Sequence, residues 1–339
     1  MYKNVVAGMI LVCVGLFPST SLGAAEAKNC QLKRYASLEL LEPLGSHLLV
    51  PVTIKGTRAY MVLDLASPYS SVMESTASRF ALQTQSIPNR VEVLVGGKQL
   101  QRLATVTPFS LGDLEFKSAE FLVIPDKIFS GGTADAPVVG ILGMNFLAQF
   151  DIELDVAHRK MNLFSQDHCP GHTVYWSAKY DSAPIRLGTL GEFYFPMELD
   201  GKKLETTLAT SNPMTTLHTD ASRKLYKFDS HSTDIETETD AAGKTTAHYR
   251  AMKLSGEGIE IINARIQLVD PPSNTTCSLS SRSGAATYEG CFGVHPLKLG
   301  QNVIGKLHLY IATKEKVLYF TPANASDSDV KRAERELSN

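Results

Sequence analysis

The segment VPVTIKGTRAYMVLDLASPYSSV, residues 50–72, aligns without a gap on FPMELDGKKLETTLATSNPMTTL, residues 195–217. In each copy, two β-rich runs flank a short turn that contains a glycine, and this pattern predicts a β-hairpin. A fixed offset across such a length indicates a duplicated structural unit. The matching positions are Pro51/Pro196, Gly56/Gly201, Leu63/Leu208 and Pro68/Pro213.

The repeat continues beyond this segment. LEFKSAEFLV, residues 114–123, aligns on IEIINARIQL, residues 259–268, and both have the alternating apolar pattern of a half-buried strand. An insertion of about five residues places GILGMNFL, residues 140–147, on GCFGVHPL, residues 290–297. Each half then ends in an apolar run, MNLF or VLYF. The repeat therefore spans most of both halves.

The pattern predicts an all-β protein of two duplicated lobes with a few short helices. Helices are expected at residues 75–82, 143–150 and 220–228, and the residues around Gly96 and Gly97 are expected to form the tip of a hairpin. The expected organisation is a signal peptide at residues 1–27, a first lobe at 28–165, a linker at 166–189, a second lobe at 190–322 and a polar tail at 323–339.

The N-terminus has the layout of a secretory signal peptide. Lys3 precedes the apolar run VVAGMILVCVGLF, and small residues follow it. The apolar run is shorter than the roughly 20 residues that a membrane helix needs. We therefore expect a secreted or periplasmic protein, with no membrane span in the mature chain.

The composition excludes some partners. The formal charge of −2, with 20% charged residues, provides no electrostatic basis for binding nucleic acid or an anionic membrane surface. Nothing in the composition indicates a cofactor. The cluster HCPGH, residues 168–172, resembles a metal site, but a structural role on its Pro-Gly turn is favoured over a metal.

Four cysteines remain after removal of the signal peptide, and an even number in an exported chain predicts two disulfides. Three pairings are possible. We favour Cys277–Cys291, which closes a local loop, and Cys30–Cys169, which ties the mature N-terminus to the end of the first half.

Asp64 ends the apolar run that precedes a Ser-Pro turn. Taken alone, such a carboxylate is read as a turn residue that caps Ser67-Pro68. Its place in the repeat favours a second interpretation, namely that it lies at an active-site position.

These residues resemble the aspartic proteases, and in particular the retropepsin-like lobes of exported bacterial proteins. The resemblance implies two β-barrel lobes, an active-site loop that begins at Asp64, and a flap whose tip contains Gly96 and Gly97. It also implies that an apolar-apolar-Gly box packs beneath each loop. The box residues are Ile141, Leu142 and Gly143 in the first lobe, and Cys291, Phe292 and Gly293 in the second.

The active-site loops depart from the family pattern Asp-Thr/Ser-Gly-Ala/Ser. The first loop reads Asp64, Leu65, Ala66 and Ser67, so Leu65 replaces the hydroxyl residue that joins the two loops in the family. The Cβ of Ala66, in place of glycine, crowds the approach of a partner carboxylate. In the second loop Ala209 stands where the second Asp belongs, followed by Thr210 and Ser211. We expect Thr210 and Ser211 to make local hydrogen bonds, and His218 and His295 to be surface or packing residues.

Aspartic proteolysis needs two carboxylates about 3 Å apart that share one proton. One takes a proton from water while the other, protonated, polarises the scissile carbonyl. A lone Asp64 lacks that second acid, and removal of one member of such a pair removes most of the rate.

The sequence therefore favours an exported pseudoenzyme that binds an extended peptide between two lobes, with a monomer favoured. Two alternatives stay open. An active endopeptidase could use Asp64 in a homodimer or recruit another acid, such as Glu74 or Asp220. A non-catalytic scaffold of the cell envelope would use the lobes for assembly alone.

Overall fold

A computed structural model describes residues 30–41, 47–87, 93–95, 98–126, 137–188, 191–228, 232–270, 278–279, 288–289 and 296–323. Several predictions from the sequence lie outside these residues. They concern the signal peptide at residues 1–27, most of the polar tail, the flap tip at Gly96 and Gly97, the pair Cys277–Cys291, the box residues Phe292 and Gly293, and His295.

The first lobe is built from strands and two short helices, in agreement with the predicted all-β class. Its elements are β1 Arg34–Glu39, β2 Leu49–Ile54, β3 Thr57–Leu63, β4 Ser71–Met73, α1 Glu74–Arg79, β5 Gln83–Ser86, β6 Val93–Val95, β7 Lys98–Leu100, β8 Arg102–Val106, β9 Phe109–Leu111, β10 Leu114–Phe116, β11 Ala119–Ile124, β12 Val138–Leu142, α2 Met144–Leu147, β13 Asp151–Asp155 and β14 Lys160–Phe164.

The second lobe has the same kinds of elements in nearly the same order. They are β15 Asp181–Pro184, β16 Arg186–Leu187, β17 Phe193–Leu199, β18 Lys202–Leu208, β19 Thr216–His218, α3 Thr219–Tyr226, β20 Ile235–Thr239, β21 Thr245–Gly256, β22 Ile259–Val269, β23 Ser278–Leu279, β24 Tyr288–Glu289, β25 Leu297–Leu299, α4 Gln301–Ile304, β26 Leu307–Ala312 and β27 Val317–Pro322.

The two main sheets share one topology, which confirms the duplication. The first has the order β10-β9-β2-β3-β12-β4-β11-β8-β5, and the second has β16-β17-β18-β25-β19-β22-β21-β20. From β2 and β17 onward, each strand of one sheet has a counterpart at the same place in the other. One face of each sheet contributes to a continuous apolar core, where Met61, Leu63 and Leu208 have almost no solvent exposure. The alternation of apolar residues along the strands produces that core.

A third sheet joins the lobes. Its order is β1-β14-β13-β26-β27-β15, and β13 of the first lobe pairs antiparallel with β26 of the second, with Leu154 opposite Leu309. One face of this sheet is polar although it is buried: His308 bonds Glu153 at 2.8 Å, and His168 bonds Asp151 at 2.5 Å. The two lobes are therefore joined by backbone ladders as well as by side chains.

The predicted disulfide between Cys30 and Cys169 is confirmed, and it connects residues 139 apart in sequence. It fixes the N-terminal end of the described chain beside the segment that follows the first lobe. His168 of the HCPGH cluster is buried against Asp151 and lies near Glu315. The described residues contain no group of three or more acidic, His or Cys side chains placed to share a metal ion.

Some predicted elements differ from the structure. The run at residues 114–124 is two strands and not one, because β10 pairs with β9 whereas β11 pairs with β8 and β4. The segment 166–189, predicted as a linker, contains β15 and β16, which pair with β27 and β17. The helix expected at residues 143–150 is the shorter α2. Helices α1 and α3 lie where the sequence predicted them.

Candidate functional site

Asp64 begins a tight loop, residues 64–70, directly after β3. Its backbone N–H donates to the carbonyl of Leu142 at 3.0 Å, and its carboxylate Oδ1 accepts the N–H of Ala66 at 3.0 Å. The N–H of Ser67 then closes the turn on the Asp64 carbonyl at 3.1 Å. The carboxylate is thus held by its own loop. This agrees both with a turn residue and with an active-site position.

Ala209 occupies the equivalent place in the second loop, residues 209–215. Its N–H donates to the carbonyl of Leu299 at 2.8 Å, and the N–H of Asn212 closes the turn on the Ala209 carbonyl at 3.0 Å. The backbone of the second loop therefore repeats that of the first. The difference between the two positions is the side chain, because Ala209 has no carboxylate.

One hydroxyl joins the two loops. Thr210 Oγ1 accepts the N–H of Leu65 at 3.0 Å and donates to the carbonyl of Leu63 at 2.8 Å. These bonds link the lobes, so the prediction that Thr210 makes only local bonds is wrong. A threonine at position 65 could make the equivalent two bonds to the backbone of the second lobe. Leu65 has no hydroxyl and makes neither bond, and its side chain is fully buried. The junction is therefore one-sided.

Burial raises the pKa of the Asp64 carboxyl above its ordinary value. The Ser211 hydroxyl, the Ala66 N–H and the positive charges of Lys298 and His47 act in the opposite direction, but burial dominates. His47 Nδ1 also donates to the Ser211 carbonyl at 3.0 Å, which fixes the second loop beside the first. Asp64 thus lies close to the Ser211 hydroxyl and the Lys298 ammonium of the second lobe and to His47 of the N-terminal segment.

The box beneath the first loop is the predicted one. Strand β12 pairs parallel with β3, with Leu142 opposite Leu63. Gly143 begins α2, and its N–H donates to Ser70 Oγ at 2.9 Å. A Cβ on Gly143 would lie 2.6 Å from the Tyr69 carbonyl oxygen, so only glycine fits between the box and the loop.

The box of the second lobe was predicted at the wrong residues. Its counterpart of Gly143 is Gly300, which begins α4 and donates from its N–H to Thr215 Oγ1 at 3.1 Å. Leu299 lies opposite Leu208 in a parallel pair, as Leu142 lies opposite Leu63. A Cβ on Gly300 would lie 2.3 Å from the Met214 carbonyl oxygen. The box is therefore Lys298-Leu299-Gly300 and not Cys291-Phe292-Gly293.

The register of the second box brings in Lys298, which the sequence interpretation missed, and His218, which it took for a surface or packing residue. Lys298 occupies the place of Ile141, and His218 occupies the place of Met73. Burial lowers the pKa of Lys298, and the negative charge of Asp64 opposes that shift. Burial and the charge of Lys298 lower the pKa of His218, which Asp220 opposes. Lys298 does not fit the apolar-apolar-Gly pattern, so a search for that pattern did not find the second box. Only the correct length of the insertion could have placed the box at residues 298–300.

Each lobe also carries a hairpin at the place expected for a flap. In the first, β6 and β7 pair antiparallel, with Val95 opposite Lys98. In the second, β20 and β21 form an exposed hairpin, with a turn closed by the N–H of Gly243 on the Asp240 carbonyl at 2.9 Å. The two hairpins extend the likeness of the lobes beyond the loops.

The other acids considered from the sequence have their own partners. Glu74 accepts a bond from Arg102 at 2.9 Å and its side chain is half exposed. Asp220 is exposed in the first turn of α3 and caps the N–H of Ala221 at 2.7 Å. Among the described helices, none has the length and apolar composition that a membrane span requires.

Comparison with known proteins gives two results of different weight. Residues 50–146 match the family model described as aspartyl protease. Similar solved structures include the basic 7S globulin from soybean and conglutin gamma, a basic 7S globulin from lupine seeds. The soybean protein is 10% identical, with a TM-score of 0.47 over 88% of this chain and 99% of the other. The lupine protein is 11% identical, with a TM-score of 0.47 over 88% and 97%.

The comparison with curated proteins finds no match. The two structural likenesses are too distant to indicate an activity. The family match covers both the loop that begins at Asp64 and the box that ends at Gly143. The segment of residues 50–146 is therefore similar to the aspartyl protease family, and the second lobe repeats its topology.

Proposed function

We propose that this protein binds an extended peptide between its two lobes and does not hydrolyse it. The observation that carries the proposal is the pair of equivalent loops in which the counterpart of Asp64 is Ala209, so that the described second loop, residues 209–215, contributes no carboxylate. The protein would then use the binding surfaces of the family without its chemistry.

The environment of Asp64 supports the loss of hydrolysis. A catalytic pair needs one ionised and one protonated carboxylate on either side of a water molecule. Here the side chain nearest to that role in the second loop is the Ser211 hydroxyl, which hydrogen-bonds the Asp64 carboxylate. A hydroxyl cannot supply the proton that polarises the scissile carbonyl, since its pKa is far above that of a carboxylic acid.

The one-sided junction argues against the dimeric alternative. In a homodimer, a second Asp64 would have to approach through the surface that Thr210 already occupies by bonding Leu63 and Leu65. Strands β13 and β26 also join the lobes in one sheet. We therefore propose a monomer whose second lobe fills the place of a dimer partner.

The disulfide supports the proposed location. A bond between Cys30 and Cys169 forms and persists in oxidising compartments, such as the periplasm or the extracellular medium. We propose that the mature chain acts outside the cytoplasm, after removal of the predicted signal peptide.

The test combines cleavage and binding. Wild type and Asp64→Asn are incubated with a fluorogenic peptide library from about pH 3 to pH 7, the range in which a carboxylate pair works. The same proteins are panned against displayed random peptides. We expect no cleavage by either protein and recovery of binding peptides by both.

Two outcomes would overturn the proposal. Cleavage by wild type that Asp64→Asn abolishes would establish the endopeptidase alternative. Absence of both cleavage and peptide recovery would favour the scaffold.

A further inference from the structure

In the first lobe, a row of four apolar residues and Ser71, which we call the apolar row, crosses the sheet beside the active-site loop. Leu103 pairs with Leu122, Leu122 with Ser71, Ser71 with Ile141, and Ile141 with Val62. These five residues lie on neighbouring strands at one level of the sheet. Leu103, Leu122 and Ile141 belong to an apolar cluster with Tyr69 of the loop. The first lobe thus has a mostly buried apolar cluster that reaches Tyr69 of the loop, next to Asp64.

In the second lobe, the equivalent row is polar throughout. His248 pairs with Gln267, Gln267 with Thr216, Thr216 with Lys298, and Lys298 with Thr207. We call these five residues the polar row. Each occupies the same register position as a residue of the apolar row. The four apolar positions of the first row are therefore all polar in the second, and the fifth pair is Ser71 and Thr216, which a drift of solvated surface residues does not explain.

The polar row is costly for the fold, because most of it is buried. Thr207, Thr216 and His248 are 2%, 6% and 6% exposed, and Lys298 is partly buried. Among the described residues, His248 Nδ1 has no hydrogen-bond partner. A buried polar atom without a partner destabilises a protein, so the retention of His248 at this position points to a ligand group that would satisfy its Nδ1.

Positive and negative charges both lie near the polar row. Lys298 lies within electrostatic range of Asp64 and of His218. Arg265, next to Gln267 along β22, lies within range of His248, and its guanidinium bonds Glu238 at 2.6 Å. Its buried Nε has no hydrogen-bond partner among the described residues. A ligand group here would meet an ammonium and several N–H and O–H donors.

We propose that the polar row is a subsite for a carboxylate of the bound peptide, with Lys298 as the counter-ion. The inference rests on the proposed peptide binding and defines its specificity. The peptide places an apolar side chain on the apolar row of the first lobe and a carboxylate on the polar row of the second. Lys298 is the one ammonium of the row and Asp64 already lies beside it, so a singly charged carboxylate fits better than a phosphate.

The experiment uses the same panning of displayed random peptides. Wild type is compared with Lys298→Met, which removes the charge and keeps a long side chain. The matched control is Lys202→Met, because Lys202 is exposed at the opposite end of β18 from the loop. We expect Asp and Glu to be enriched at one position with wild type and Lys202→Met, and not with Lys298→Met.

Synthetic peptides then quantify the effect and identify the source of the carboxylate. Replacing the enriched Glu by Gln should weaken binding to wild type about tenfold, and should leave binding to Lys298→Met unchanged. Peptides that end at this position, with a free carboxylate or an amide, test whether a chain terminus serves equally well.

The outcomes separate the two proposals. Recovery of peptides without acidic enrichment, or equal binding of the Glu and Gln peptides, overturns the carboxylate subsite and leaves peptide binding intact. Recovery of no peptide by any variant overturns both.

Discussion

At the scale of single residues, the junction of the two lobes depends on Thr210. Its hydroxyl makes both bonds that join the loops, and Leu65 makes none in return. The position of Leu65 shows why the asymmetry is tolerated, because its side chain packs in the apolar core. One buried hydroxyl, that of Thr210, thus joins the loops, whereas the family pattern has a hydroxyl residue in each loop.

The replacement Thr210→Val tests this dependence. Valine keeps the volume and leaves the Leu65 N–H and the Leu63 carbonyl without partners, so we expect the free energy of unfolding to fall by about 2 kcal/mol. Urea denaturation measures the change. The control is Thr237→Val on exposed β20, which should change stability by less than about 0.5 kcal/mol. Equal effects of the two variants would contradict the role of the bond.

Asp64 gives a second prediction, from the pH dependence of stability. Because burial raises its pKa, the folded protein keeps this proton at pH values where the unfolded chain has released it. Ionisation therefore destabilises the folded state as the pH rises through the folded pKa.

We expect Asp64→Asn to be more stable than wild type at pH 7. The difference should diminish below about pH 4, where the carboxyl is protonated in both states. Urea unfolding at a series of pH values measures it. A stability difference that stays constant with pH would refute the assignment, and a destabilised variant at neutral pH would show that the charged form is favoured.

At the scale of elements, each loop is held by the short helix that follows its box, α2 for the first loop and α4 for the second. The Met144 N–H donates to the Ser67 carbonyl at 2.8 Å, and the Gln301 N–H donates to the Asn212 carbonyl at 2.9 Å. Asn145 and Asn302, one residue later, each accept a backbone N–H from the loop, that of Ser70 at 2.6 Å and that of Thr215 at 2.7 Å. The backbone of the site is therefore duplicated in full, although the carboxylate of Asp64 is not.

At the scale of the whole molecule, the sheet that contains β13 and β26 and the disulfide both restrain the chain across the lobes. Cys30 and Cys169 close a long covalent loop around the first lobe. Restriction of the unfolded chain by such a loop stabilises the folded state by entropy, and more so for longer loops.

We expect the double variant Cys30→Ser/Cys169→Ser to lose about 2 to 5 kcal/mol in the free energy of unfolding. The measurement is urea denaturation of the variant against oxidised wild type. Wild type under reducing conditions serves as the control and should lose a similar amount. A variant as stable as oxidised wild type would show that the inter-lobe sheet alone determines stability.

Local patterns in the sequence were sufficient for much of the fold. The gapless repeat predicted two like lobes, and the Gly-containing turns predicted the hairpins β2–β3 and β17–β18. The loop at Asp64 and its degenerate counterpart at Ala209 were also visible, because chain neighbours determine these turns. The sequence shows no local signal at Lys117-Ser118, where the chain changes its pairing partner from β9 to β8.

The sequence by itself determined the β class, the duplication and the absence of a second carboxylate at Ala209. Each of these depends on residue types at short spacing. Only the tertiary structure decided that Thr210 bonds across the lobes and that the second box begins at Lys298. Both depend on which distant segments of backbone come into contact. Because a long insertion precedes β25, the alignment of the second box on the first could not be derived from the sequence. The polar row became visible for the same reason, since it exists only where five strands align.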